Sequence, residues 1–124
     1  MPKDDWRGGL DWDVFVRDRY TCRYCGLSIK AFKNRWDLFA ADHLKPRNPK
    51  SKTGGPDTVM NLVTACVGCN ALKGNFDPTN GGPPPETAEE QERLVQIANG
   101  HIKAKRDKFV ADCIAMQESR AVGK

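Results

Sequence analysis

No apolar run in these 124 residues approaches the roughly 18 residues that cross a bilayer, so no membrane association by a spanning helix is expected. The amino end, M-P-K-D-D-W-R-G-G-L, lacks the apolar core of a secretory leader, and a cytoplasmic protein is expected. Internal repeats are absent, and histidine is scarce, with only His43 and His101. The H-x-E pattern of zinc deaminases is also missing, because Leu44 and Lys45 follow His43.

What is present is a chain 39% hydrophobic and 29% charged, the balance of a soluble globular protein with room for one domain and an appendage. Residues 1–75 hold 13 Lys and Arg against 8 Asp and Glu, whereas residues 76–124 hold 7 against 8. The first part is therefore +5 and the second −1. A basic excess there favours a nucleic-acid partner, although a well-solvated surface would give the same count.

Residues 11–20, D-W-D-V-F-V-R-D-R-Y, predict a short helix capped by Asp11, with Trp12, Phe15, Val16 and Tyr20 near one face. Trp6 and Trp12 read as packing residues, and Arg17, Arg19 and Arg23 as phosphate-reaching or merely solvated cations. Cys22 and Cys25 make a tight turn for which Gly26 supplies the positive φ. A strand through residues 36–41 is expected to deliver Asp42 and His43 at its end, and residues 45–58, rich in Pro and Gly, make a surface loop. N-L-V-T-A-C at 61–66 predicts a returning strand that leads into Cys66, Cys69 and a helix stopped by Gly74. Three units follow: a core at 1–75, a Pro/Gly linker at 76–86, and a helical extension at 87–120 packing on the core or on a partner. Thr87 and Glu90 form a capping box for that extension, as one helix with a weak middle at Asn99 and Gly100 or as two. Leu94, Ala98, Ile102, Phe109, Cys113 and Met116 trace one apolar stripe along it.

Cys22 and Cys25 with Cys66 and Cys69 give two C-x-x-C pairs, and four soft thiolates satisfy one structural zinc in a closed tetrahedron. A reducing compartment argues against disulfides, and the fifth cysteine, Cys113, reads as a small apolar residue. With all four zinc positions filled by protein, catalysis needs a separate hard cation. Asp42 and Asn70 offer oxygen for one catalytic magnesium or manganese.

Residues 15–75 resemble the HNH endonucleases. The resemblance is carried by R-D-R-Y-T-C-R-Y-C-G, A-D-H-L-K-P, N-L-V-T-A-C and C-N-A-L-K-G-N. It implies an α+β fold with a small ββα-metal (His-Me finger) core, braced by the four-cysteine zinc and flanked by an N-terminal helix and a C-terminal helical extension. It also implies that His43 is the general base, that Asp42 and Asn70 are metal ligands, and that Asn61 holds the loop and orients His43. Asn70 stands where the second name-giving His occurs in other members. The implied activity is hydrolysis of DNA phosphodiesters to 3′-hydroxyl and 5′-phosphate ends. One active site cuts one strand, so a monomer should nick and a double-strand break would require dimerisation or two events; a monomer or weak dimer is expected.

Hydrolysis of this kind needs a deprotonated water, positive charge on the phosphate and help for the leaving oxygen. A neutral imidazole is required of the base, so activity is expected to fall below roughly pH 6. Lys45, Arg47, Lys50, Lys52 and Lys73 are the expected contacts to the DNA backbone. A phage-packaging or restriction partner is one candidate setting, and the sequence does not choose it. The competing reading is a non-catalytic zinc-knuckle module that binds nucleic acid or protein. It requires Asp42, His43 and Asn70 to be incidental.

Overall fold

The computed structural model describes residues 9–47 and 54–122. Trp6, Lys50 and Lys52 lie outside them. The elements in order are α1 (Leu10–Arg17), β1 (Phe39–His43), β2 (Leu62–Cys66), α2 (Val67–Lys73) and α3 (Ala88–Val122), with 3-10 turns at Lys30–Phe32, Trp36–Leu38 and Val59–Asn61. β1 and β2 pair antiparallel, with Asp42 opposite Val63 and His43 opposite Leu62. Leu44 N–H extends the ladder by donating to Asn61 O at 2.8 Å. This two-stranded sheet followed by α2 is a small ββα unit, and the protein is of mixed α and β class.

A two-stranded ribbon cannot bury enough apolar surface to stand alone. Two clusters flank it. On one side Val14 and Phe15 of α1 meet Ala41 and Leu62, with the ring of Trp36 5.2 Å from Trp12, 5.5 Å from Phe15 and 5.7 Å from Tyr20 between centroids. On the other, Leu94, Val95, Ala98 and Ile102 of α3 pack on Tyr24, Ile29, Phe39, Leu44, Val63 and the knuckle cysteines.

Several expectations shift. α1 is capped at Gly9, which has φ 84°, and not by Asp11; Val16 points out, and Val14 and Phe15 make the buried face. Trp36 and Leu38 form a 3-10 turn, so the strand begins at Phe39. Of the two readings of the extension, the structure has the single helix, α3, continuous over 35 residues. Within residues 76–86 a turn at 78–81 is bonded to the core: Thr79 N–H donates to Asp77 Oδ1 at 2.9 Å, and Lys45 Nζ donates to Gly82 O at 2.7 Å.

A buried polar hub ties these parts together. Asp18, with its side chain 1% exposed, accepts from Arg17 Nε at 2.8 Å, Arg23 Nη1 at 2.9 Å and Thr64 N–H at 2.8 Å. Arg17 also donates to Val59 O and Leu62 O, and Arg23 to Gln91 Oε1 and Glu92 Oε2. Burial pushes the Asp18 carboxyl up, but the Arg17, Thr64 and Arg23 hydrogen bonds outweigh it and hold the group below the usual aspartate value. Arg17 and Arg23 are thus internal fasteners and not phosphate contacts.

Candidate active site

The cysteine cluster comes from two tight turns placed face to face. Cys22 precedes Gly26, whose φ of 79° closes the first turn, with Gly26 N–H donating to Cys22 O at 2.9 Å. Cys66 is both the end of β2 and the N-cap of α2, where its Sγ accepts from Cys69 N–H at 3.4 Å. The Sγ atoms of Cys22, Cys25, Cys66 and Cys69 all lie within 4.8 Å of one another, and Cys25 and Cys66 are 3.7 Å apart. A tetrahedron with metal–sulfur bonds of about 2.3 Å has edges of about 3.8 Å, so the sulfurs fit a closed zinc site. Arg106 of α3 adds a charged donor, Nη2 to Cys69 Sγ at 2.9 Å. The sequence carried no signal for that contact, because Arg106 sits in a run of basic residues.

Asp42 and His43 are consecutive on β1 and so project to opposite sides of the ribbon. Asp42 points inward. Its Oδ2 accepts from Tyr24 Oη at 2.7 Å and lies 3.4 Å from Lys73 Nζ. Burial raises the Asp42 carboxyl above its ordinary value, and Lys73 and Tyr24 pull it part of the way back. Burial and the neighbouring Asp42 charge also push the Tyr24 phenol well above its normal range, so it serves as a donor. Asp42 Oδ1 and the Asn70 side chain have no hydrogen-bond partner among the described residues, and neither is sealed from solvent. Both groups carry oxygen, the donor type that a hard divalent cation takes.

His43 projects to the loop side, with its side chain 14% exposed, and its Nε2 lies 2.6 Å from Asp57 Oδ1. Asn61, fully buried, spans the loop's two ends. Its Oδ1 accepts from Lys45 N–H at 2.9 Å, and its Nδ2 donates to Lys45 O at 3.1 Å and Pro56 O at 3.0 Å. A Cβ on Gly55 would stand 1.7 Å from Lys45 O, so only glycine lets these strands of loop close. Asn61 therefore clasps the loop, while the contact to the His43 ring comes from Asp57. Asp57 was missed because one aspartate in a loop carries no periodic or spacing signal.

Two expected DNA contacts are corrected. Lys73 is 1% exposed and donates to His43 O at 2.8 Å, so its ammonium is engaged inside the site. Lys45 is 6% exposed, with its ammonium held by Gly82 O, Thr79 Oγ1 and Asp77. Their long stems let them bury at the sheet's edge while the charge finds internal oxygen. Arg47 remains exposed, and Lys50 and Lys52 lie outside the described residues. His101 stacks on Phe76 at 4.0 Å between centroids and has a packing role. No described helix is long and apolar enough to cross a membrane.

Comparison with curated proteins and with solved structures gave no match. A comparison with family models did, and the matched residues, 22–76, begin at the first knuckle cysteine and end just past α2, enclosing the whole ββα unit and both candidate sites. The model that those residues match is that of the HNH endonucleases.

Proposed function

We propose that the protein is a divalent-metal-dependent endonuclease that hydrolyses DNA phosphodiester bonds, nicking one strand per active site, with the cysteine cluster holding a structural zinc. The observation that carries this reading is the His43–Asp57 contact of 2.6 Å at the end of β1, next to Asp42. If Nε2 donates its proton to Asp57, the imidazole is fixed in the tautomer whose Nδ1 has a free lone pair. That nitrogen takes a proton from the attacking water. A general base positioned in this way contributes roughly 10²- to 10⁴-fold, or about 3–5 kcal/mol.

Asp42 and Asn70 would hold a magnesium or manganese ion, which when bound supplies positive charge to the phosphate and the leaving oxygen. Tyr24 and Lys73 fix the Asp42 carboxylate from behind. Asn61 and Gly55 hold the loop that bears Asp57, so that the base sits in line. Arg47 remains available for the phosphate backbone, in a core of charge +5 before metal is counted.

Supercoiled plasmid incubated with the protein in Mg²⁺, in Mn²⁺ and in EDTA tests this directly. Open circles that form before linear DNA, and only with a divalent ion, are expected. Intact plasmid under every ion, with DNA binding retained, would favour the non-catalytic knuckle module instead.

A further inference from the structure

α3 changes character along its length. Leu94, Val95, Ala98 and Ile102 are at most 2% exposed, whereas every residue from 107 to 121 is exposed. This second half nevertheless carries Phe109, Val110, Ile114 and Met116, which are 61, 46, 49 and 57% exposed. A helix of about 16 residues in water is marginal by itself, and four large apolar side chains make its exposure costlier still. Where the protruding half leaves the core, a groove of about 480 Å³ opens between α2 and α3, lined by Gly68, Ala71, Leu72, Arg106, Phe109 and Val110. Gly68 and Ala71 are small enough for a helix to approach closely, and Val67, 53% exposed, continues the apolar rim.

We propose that this surface is a homodimer interface, with the second half of α3 from each copy lying along the partner's α3 and into its α2–α3 groove. The occupant is a second copy because the surface is self-complementary: the chain presents both an apolar rod and an apolar groove beside it. Charge points the same way. Residues 107–122 hold Lys108 and Arg120 against Asp107, Asp112 and Glu118, a net −1 that disfavours a polyanion. An antiparallel overlay about Cys113 sets Val110 against the partner's Met116, while Lys108 stays paired with Asp112 of its own helix at 2.8 Å, away from the seam. The rod is about 24 Å long, and its four apolar side chains leave on the order of 400 Å² in water, the size of patch that marks an interaction site. Doubled by a two-fold axis and joined by the groove walls, this approaches the roughly 1,200 Å² of a small specific interface. A dimer carries two Asp–His sites and is suited to breaking both strands of a duplex.

Sedimentation equilibrium of the full, zinc-loaded chain in reducing buffer, from about 5 to 500 μM, is the test. The mass should rise from 13.8 kDa towards twice that value. Val110→Glu and Ile114→Glu change only exposed positions and should each raise the dissociation constant by about 30-fold or more, while Val16→Glu, an exposed apolar site on α1, leaves it unchanged. A mass of 13.8 kDa throughout, or association that neither variant weakens, overturns the proposal. The readout is mass and not cleavage, so an inactive protein would not obscure the result.

Discussion

The cysteine cluster and the Asp42–His43 site lie at opposite ends of the same two strands and are built in opposite ways. The cluster is made of identical ligands from two short turns, each pair three residues apart, and it closes on itself. The catalytic candidate is made of unlike side chains: His43 and Asp42 from β1, Asp57 from the loop, Tyr24 from the first knuckle, and Asn70 and Lys73 from α2. It leaves His43 Nδ1, Asp42 Oδ1 and the Asn70 amide without partners among the described residues. The first arrangement turns its four sulfurs on one another, and the second leaves polar atoms open.

Disrupting the cluster should have the largest effect. Zinc removal, or Cys66→Ser, forfeits on the order of 10 kcal/mol of folding energy, so far-UV circular dichroism should show broad unfolding and cleavage should vanish with it. A protein that keeps its helix content after metal removal would deny the cluster its structural role. His43→Ala makes the contrast, with cleavage lower by about 10²- to 10⁴-fold and a melting temperature within a few degrees of the parent.

Asp18→Ala reaches the fold without touching either site. Removing the carboxylate leaves Arg17 with only its two carbonyl contacts, Arg23 with Gln91 and the exposed Glu92, and the buried Thr64 N–H without its acceptor, at a cost of about 3 kcal/mol in denaturant unfolding. Because the folded pKa of Asp18 is lowered, its contribution is present above the unfolded value near 3.8 and is lost as pH falls through the lower folded value. The stability difference between the parent and Asp18→Asn should therefore be flat above about pH 5 and shrink below about pH 4. A difference that instead grows in acid would contradict the assigned hydrogen bonds.

Asn61→Ala deletes three hydrogen bonds at the loop clasp and should cost about 2–3 kcal/mol, with a further loss of cleavage as Asp57 moves. Asp57→Asn is the mildest change. It should slow cleavage about tenfold at unchanged stability, by weakening the hold on the His43 tautomer. Equal rates for Asp57→Asn and the parent would leave the 2.6 Å contact without a catalytic role.

The two regions also differed in how far the sequence disclosed them. The cysteines were legible because metal geometry imposes a fixed spacing on the chain. Asp42, His43, Asn61 and Asn70 were singled out by their order along it, and the fold places Asp42 and His43 together at the end of β1. Lys45 and Lys73 were misread because a lysine's charge says nothing about whether its stem is buried, and both found internal oxygen. Asp57, Tyr24 and Arg106 act through contacts 14 to 37 residues away, which periodicity cannot reveal. α3 runs unbroken through Asn99 and Gly100 because buried Ala98 and Ile102 hold either side of an exposed glycine. The break in its apolar stripe at Arg106 is one of packing, not of helix.

The most direct measurement of the central claim is plasmid cleavage by the parent and by His43→Ala, with zinc content determined on the same samples. One zinc per chain in both proteins and open circles from the parent alone would bear out a division between a site that builds the fold and a site that cuts. Cleavage by the variant, or loss of its zinc, would contradict it.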